Sequence, residues 1–298
     1  MDGFADSPET VFRTLDRRTC RDAALVLEAL GLHPVVQDLG DQWTIGVARR
    51  DAAEARRELV AWQAENQSVR PEAPPRQPVA DGRPGVLAYV LVVIAVALAV
   101  SNFALGRDWL AAGGVDGAAM RAGEWWRAFT ALTLHAGIEH LAGNVFFGGV
   151  FGWAAGRYLG SGVAWLLILL AGASGNIINV AIMGETHRSI GASTAVFAAL
   201  GLLGSLGWAG RRHSAKGRIY RWGPIIAAVA LLAYTGAGGE RTDIGAHIWG
   251  FVAGLGAGLL AARMPPALLA RGRLQAVTGG AALAAIVLAW ALALQAGA

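Results

Sequence analysis

The feature that most constrains this chain is a change of character at Gly85. Beyond it run seven apolar segments, near residues 86–106, 140–159, 162–184, 193–210, 223–238, 246–263 and 277–296. Each approaches the length needed to cross a hydrocarbon core of about 30 Å, the fifth being the shortest. Composition agrees: 55% of the 298 residues are apolar and only 15% charged, against roughly one quarter charged in soluble domains. Too few charges remain to cover a water-facing surface, and most of the acids precede Gly85. The chain reads as a polytopic helical membrane protein with a small soluble extension at its N-terminus.

That extension, residues 1–66, has the pattern of an α+β domain. Strand candidates at 10–15, 33–39 and 42–48 alternate with a helix at 21–32, whose stripe is Ala24, Leu25, Leu27, Leu30 and Leu32. A second helix runs from a cap at Asp51 to about Asn66. Gly40-Asp41 is a hairpin-type turn. The order βαββα implies two helices on one face of a three-stranded sheet. Residues 67–85, with PEAPPRQPVADGRPG, form a Pro-rich linker expected to be extended or disordered. The opening run MDGFADSPETVF has neither a basic n-region nor an apolar h-region, so no cleaved signal peptide is expected. Cys20 stands alone, which excludes an internal disulfide and favours a packing role.

A net charge of +4 raises nucleic acid as a partner, but the basic residues lie in short loops between apolar segments, so none is expected. Arg211, Arg212, Lys216, Arg218 and Arg221 share one loop, and Arg263, Arg271 and Arg273 another. The alternate loops hold only Arg188 and Arg241. Basic loops stay cytoplasmic, so the N-terminal domain is expected inside and the C-terminus outside, in a bacterial inner membrane. The connection Gly106–Glu139 is too long for a plain turn. It reads as a partly helical structure in the outer leaflet, with Trp125 and Trp126 at the interface.

Polar side chains inside membrane segments are costly and mark candidate sites. Segment two opens with His140 and Asn144, segment four with Ser193, and segment six with His247. All three openings fall on the same side of the expected topology, so the four residues can meet at one depth. Serine hydrolysis needs a nucleophile, a base and donors for the oxyanion. Ser193 and His247 suit the first two roles. Asn144, His140 and the unpaired N–H groups of segment four suit the third. Gly250, Gly254 and Gly258 form a small-residue face that lets segments four and six approach, with Gly201 and Gly204 expected opposite.

The run Trp126-Arg127, then His135, His140 and Asn144 in the spacing HxxxxHxxxN, then Gly191-Ala-Ser193, then Ala246-His247-Ile-Trp-Gly250, resembles the rhomboid protease signature in its order across roughly 86–265. The resemblance implies a six-helix core with segment seven as an extra C-terminal helix. It implies a Ser–His dyad without an essential acid, an oxyanion site at His140 and Asn144, and transmembrane protein substrates with a small residue before the cut. Gly191 would keep the loop before Ser193 tight, and Trp126 and Arg127 match a structural motif of the first loop. Thr194 and Phe197 depart from the usual Gly and Tyr; Phe197, at i+4 from Ser193, can still stack on His247.

Other readings are weaker. His135 is expected to make a structural hydrogen bond in the loop, Asp243 to cap a helix rather than complete a triad, and Asn176 and Asn179 to bond between helices. Zinc held by His135, His140 and His247 lacks both the HExxH spacing and a carboxylate, so neither metal nor cofactor is expected. A non-catalytic rhomboid-like protein that binds transmembrane clients is the alternative function. The partners expected are the lipid bilayer and transmembrane proteins.

Overall fold

The computed structural model describes residues 8–67, 77–214, 216–236 and 243–296, which fall into two compact units that divide after residue 72. The first unit holds β1 (Glu9–Thr14), α1 (Arg17–Ala29), β2 (Val35–Asp38), β3 (Trp43–Val47) and α2 (Ala52–Gln67). β3 lies between β1 and β2 and is antiparallel to both. The β2–β3 hairpin turns through Gly40, at φ +85°, a left-handed conformation that glycine adopts without a Cβ penalty. Asp38 accepts its N–H at 2.8 Å.

Both helices join the sheet in one core of Phe12, Cys20, Leu27, Ile45, Val47, Ala55 and Leu59. Helix α1 starts four residues before its expected position. Asp16 accepts from the N–H groups of Arg18 and Thr19, and this cap draws the polar stretch Arg17–Cys20 into the helix. The expected stripe is therefore corrected: Ala24, Leu27 and Leu32 are buried, whereas Leu25 and Leu30 are exposed.

Within the expected linker, residues 68–76 lie outside the described residues. The remainder is ordered: Val79 donates to the Arg157 carbonyl at 2.8 Å, and α3 (Arg83–Ser101) already begins at Arg83 with Pro84 in its first turn. α3 also ends sooner than expected. Phe103 and Leu105 take left-handed φ values of 46° and 61°, which break the helix before Gly106.

The long connection follows as α4 (Trp109–Gly113), β4 (Val115–Asp116), α5 (Gly117–Arg121) and α6 (Arg127–Thr130). The chain continues through α7 (Ile138–Leu159), α8 (Ser161–Met183), β5 (Arg188–Ser189), α9 (Ser193–Arg211), α10 (Arg218–Gly236), α11 (Ile244–Ala261), α12 (Pro266–Leu269) and α13 (Gly272–Ala296). The seven apolar segments are thus the seven long helices among the described residues. α3, α8, α9, α11 and α13 are long and apolar enough to cross a membrane. α7, with Glu139, His140, Asn144 and Arg157, and α10, with Arg218 and Arg221, carry more polar residues.

The core of this second unit is made of small side chains. Its centre includes Ala155, Ala164, Ala198, Ala199, Ala257 and Ala261 around Leu159, Ile168 and Leu202. α9 and α11 form its tightest seam. A Cβ at Gly254 would strike the Ala198 carbonyl, and one at Gly258 the Leu202 carbonyl and Ser205. Gly201 faces the α11 backbone at Phe251 and Leu255, as expected, but Gly204 faces Pro224 and Ala228 of α10 instead. Four residues advance a helix by 400°, and three by only 300°, so Gly204 turns away from the seam that Gly201 faces.

Candidate active site

Ser193 is the first residue of α9, and His247 lies one turn into α11. The seam between these helices brings Ser193 Oγ to 2.8 Å from His247 Nε2. On the other side of the ring, Nδ1 lies 2.9 Å from the Gly236 carbonyl at the end of α10. A carbonyl can only accept, so Nδ1 carries the proton and donates to it. Nε2 is left as the acceptor for the Ser193 hydroxyl. The Phe197 ring packs against the imidazole, centroids 4.5 Å apart and tilted by 44°. His247 is 7% exposed.

Asp243, one turn before His247, faces elsewhere. It caps α11 by accepting from Ala246 N–H at 3.0 Å. It also accepts from Asn179 Nδ2 at 3.0 Å and lies 3.0 Å from His187 Nε2. Asn179 on α8 and His187 in the loop before β5 thereby tie the start of α11 to the chain leading into Ser193. Asn176, also on α8, donates to the Ala128 carbonyl in the first loop at 3.0 Å.

The same loop is held from a second direction. β4 pairs with β5, matching Val115 to Ser189 and Asp116 to Arg188, and Arg188 and Asp116 form an ion pair at 3.0 Å. Gly191 N–H donates to the Ala131 carbonyl at 3.0 Å. Gly191 has φ +141°, and a Cβ there would stand 2.8 Å from His140 Cε1 and 3.3 Å from Ser193 Oγ. Glycine is therefore required both for the backbone and for the close approach of His140 to Ser193.

His140 and Asn144 follow one another on one face of α7. His140 Nδ1 is the acceptor for Ala136 N–H at 3.4 Å, which leaves Nε2 to carry the ring proton. Asn144 is buried, and its Nδ2 has no hydrogen-bond partner among the described residues. Its backbone carbonyl accepts from the Tyr89 hydroxyl at 2.9 Å. His140, Asn144, Ser193 and His247 all line one cleft of about 1230 Å³, with Phe147, Val196 and Phe197 on its apolar walls.

His135 differs from expectation. Neither of its ring nitrogens meets a hydrogen-bond partner among the described residues; the ring stands edge-on to His140, centroids 5.3 Å apart. Burial, and secondarily His140, push it down to about 4, so the ring is neutral near pH 7. Trp125 and Trp126 also part company: Trp125 is exposed, while Trp126 packs against Leu134 and Trp290. Arg127 pairs with Glu124 at 2.6 Å and donates to the carbonyls of Ala111 and Gly114, knitting the first loop to itself. Thr194 is buried where Gly175 of α8 and Gly250 of α11 meet α9. Gly250 and Gly254 both face α9 closely.

The Gly236 carbonyl, His187 and the β4–β5 pair were not anticipated. A backbone acceptor leaves no side-chain signature, and a two-residue strand leaves no periodicity.

Fold and cleft together define an integral membrane protein whose helix bundle gathers a serine, two histidines and an asparagine around one cavity. Residues 122–264 match the Rhomboid domain. The chain is similar to rhomboid protease GluP of Bacillus subtilis, 39% identical over 94 residues, covering 32% of this chain and 18% of that protein. It is also similar to two Arabidopsis thaliana proteins. Rhomboid-like protein 11, chloroplastic, is 32% identical over 90 residues, 30% of this chain and 32% of the relative. RHOMBOID-like protein 6, mitochondrial, is 39% identical over 83 residues, 28% of this chain and 26% of the relative. The matches span under a third of each relative's own length.

Proposed function

We propose that this protein is an intramembrane serine endopeptidase that cuts peptide bonds in or next to transmembrane helices of other proteins. The observation that carries the reading is the 2.8 Å contact of Ser193 Oγ with His247 Nε2, made by a ring whose other nitrogen donates to Gly236. His247 takes the hydroxyl proton as Ser193 Oγ attacks the carbonyl carbon. The tetrahedral oxyanion accepts from Asn144 Nδ2, His140 Nε2–H and the free N–H groups that open α9. Collapse breaks the peptide bond as His247 protonates the leaving amine, and an acyl-enzyme remains. Water, deprotonated by His247, releases the acid and restores the serine. The Gly236 carbonyl orients the imidazole, a task that a carboxylate performs in a triad.

A transmembrane helix satisfies its own carbonyls, so the substrate must unwind at the cut. The resemblance to rhomboid proteases implies a small residue before it. On the basic-loop argument the N-terminal unit is cytoplasmic and the cleft opens on the outer face of a bacterial inner membrane.

The test is cleavage of a labelled transmembrane substrate in proteoliposomes. Ser193→Ala and His247→Ala should each lower the rate by about 10⁴-fold or more, and Ser193→Ala should abolish labelling by a fluorophosphonate. Unchanged cleavage by Ser193→Ala would refute the serine mechanism. A wild-type protein that binds such helices without cutting them would favour the client-binding alternative.

A further inference from the structure

A second cavity, of about 460 Å³, lies apart from the cleft between α3, α8 and α13. Its walls include Pro84, Tyr89, Trp165, Ile168, Ala282 and Ile286, and they are almost wholly apolar. α3 and α13 both pack on α8 rather than on each other, so the gap between them faces the surrounding hydrocarbon. Leu283, on its rim, is 46% exposed.

Volume decides what can enter. A helix about 10–12 Å across would fill this space with about one turn, too little to dock. An extended hydrocarbon chain is far thinner and runs its length. At one end Asp81, Ser161 and Gln275 border the cavity. One helical turn further in, the buried indole N–H of Trp165 has no hydrogen-bond partner among the described residues.

Basic residues adjoin that end in the chain. Arg83 adjoins Pro84, and Arg271 and Arg273 precede Gln275, all three exposed. Asp81, which borders the cavity, is engaged by Arg83 at 2.7 Å. Basic pockets between membrane helices suit anionic headgroups.

We propose that this cavity is a binding site for an anionic phospholipid, one acyl chain lying between α3 and α13 and the headgroup meeting Arg83, Arg271 and Arg273. The assignment is independent of the protease reading. Its wall nevertheless reaches the cleft, since Tyr89 lines the cavity and donates to the Asn144 carbonyl.

The test uses the full chain in phosphatidylcholine nanodiscs doped with phosphatidylglycerol carrying a diazirine near the end of one acyl chain. After photolysis, peptides containing Ala88–Val93, Trp165–Leu169 and Ala282–Ile286 should be labelled. Ala88→Phe and Ala282→Phe fill the cavity from opposite helices. Each should reduce that labelling by roughly tenfold while leaving labelling at Ile226 and Val229 on the outside of α10 unchanged, which reports an intact, inserted bundle. Labelling that both variants leave as it was would overturn the site. Labelling by a phosphatidylcholine probe equal to that by the phosphatidylglycerol probe would overturn the anionic headgroup.

Discussion

The two units differ in what makes their closest contacts. In the first, large apolar side chains are inside: Leu27 and Ile45 are fully buried, as water demands. In the second the seam is glycine, alanine, Thr194 and Ser205, while Leu91, Leu98, Leu260 and Val287 point outwards. Lipid tails are as apolar as leucine, so burial gains little there and close backbone contact takes over. The lesson is that in the second unit hydropathy alone does not tell core from periphery, since large apolar side chains lie both inside and on the lipid face.

Substitutions can break this contrast. The largest effect is expected from Gly254→Leu, which drives a side chain into the Ala198 carbonyl. It should abolish cleavage and the thermal transition of the membrane unit, while hydrogen exchange in the first unit stays as in wild type. Leu27→Ala should destabilise the first unit by about 2–5 kcal/mol, read from exchange of its core amides. Asn144→Ala should slow cleavage by about 10²–10³-fold with little change in thermal stability, because its Nδ2 makes no hydrogen bond among the described residues. A large stability loss instead would make Asn144 a packing residue.

Asp16→Ala, which removes the α1 cap, should have a smaller effect on the first unit. Thr19, foremost, and Arg18 hold this carboxylate below its ordinary range by hydrogen bonding. Its contribution is therefore present at neutral pH and lost as pH falls through the lowered value, so mutant and wild type should converge in acid. The smallest effect is expected at Leu91→Ala on the lipid face, within about 0.5 kcal/mol. A loss like that of Leu27→Ala would mean that α3 is covered by another surface.

Much of the bundle was legible because apolar runs of membrane-crossing length have few alternatives. Ser193, His247, His140 and Asn144 were legible because polar groups are scarce in such runs. Element ends were harder. Asp16 was overlooked as a cap because Arg17–Cys20 shows no apolar period, and α3 was drawn too long because Phe103 and Leu105 are apolar despite their left-handed backbone. The partners of the cleft residues were hidden for a different reason. Asp243 lies 64 residues from Asn179 in the chain, and only the fold brings it to Asn179 and His187.

The Gly236 carbonyl has one more consequence. His247 is carried by α11, yet the atom that sets its tautomer belongs to α10, which packs chiefly on α9. A displacement of the end of α10 by about an ångström would stretch that hydrogen bond past useful length. Nδ1 would then be released, and Nε2 would lose its assured role as acceptor. The tautomer of His247 is in this sense a mechanical readout of a neighbouring helix, set by where the end of α10 stands.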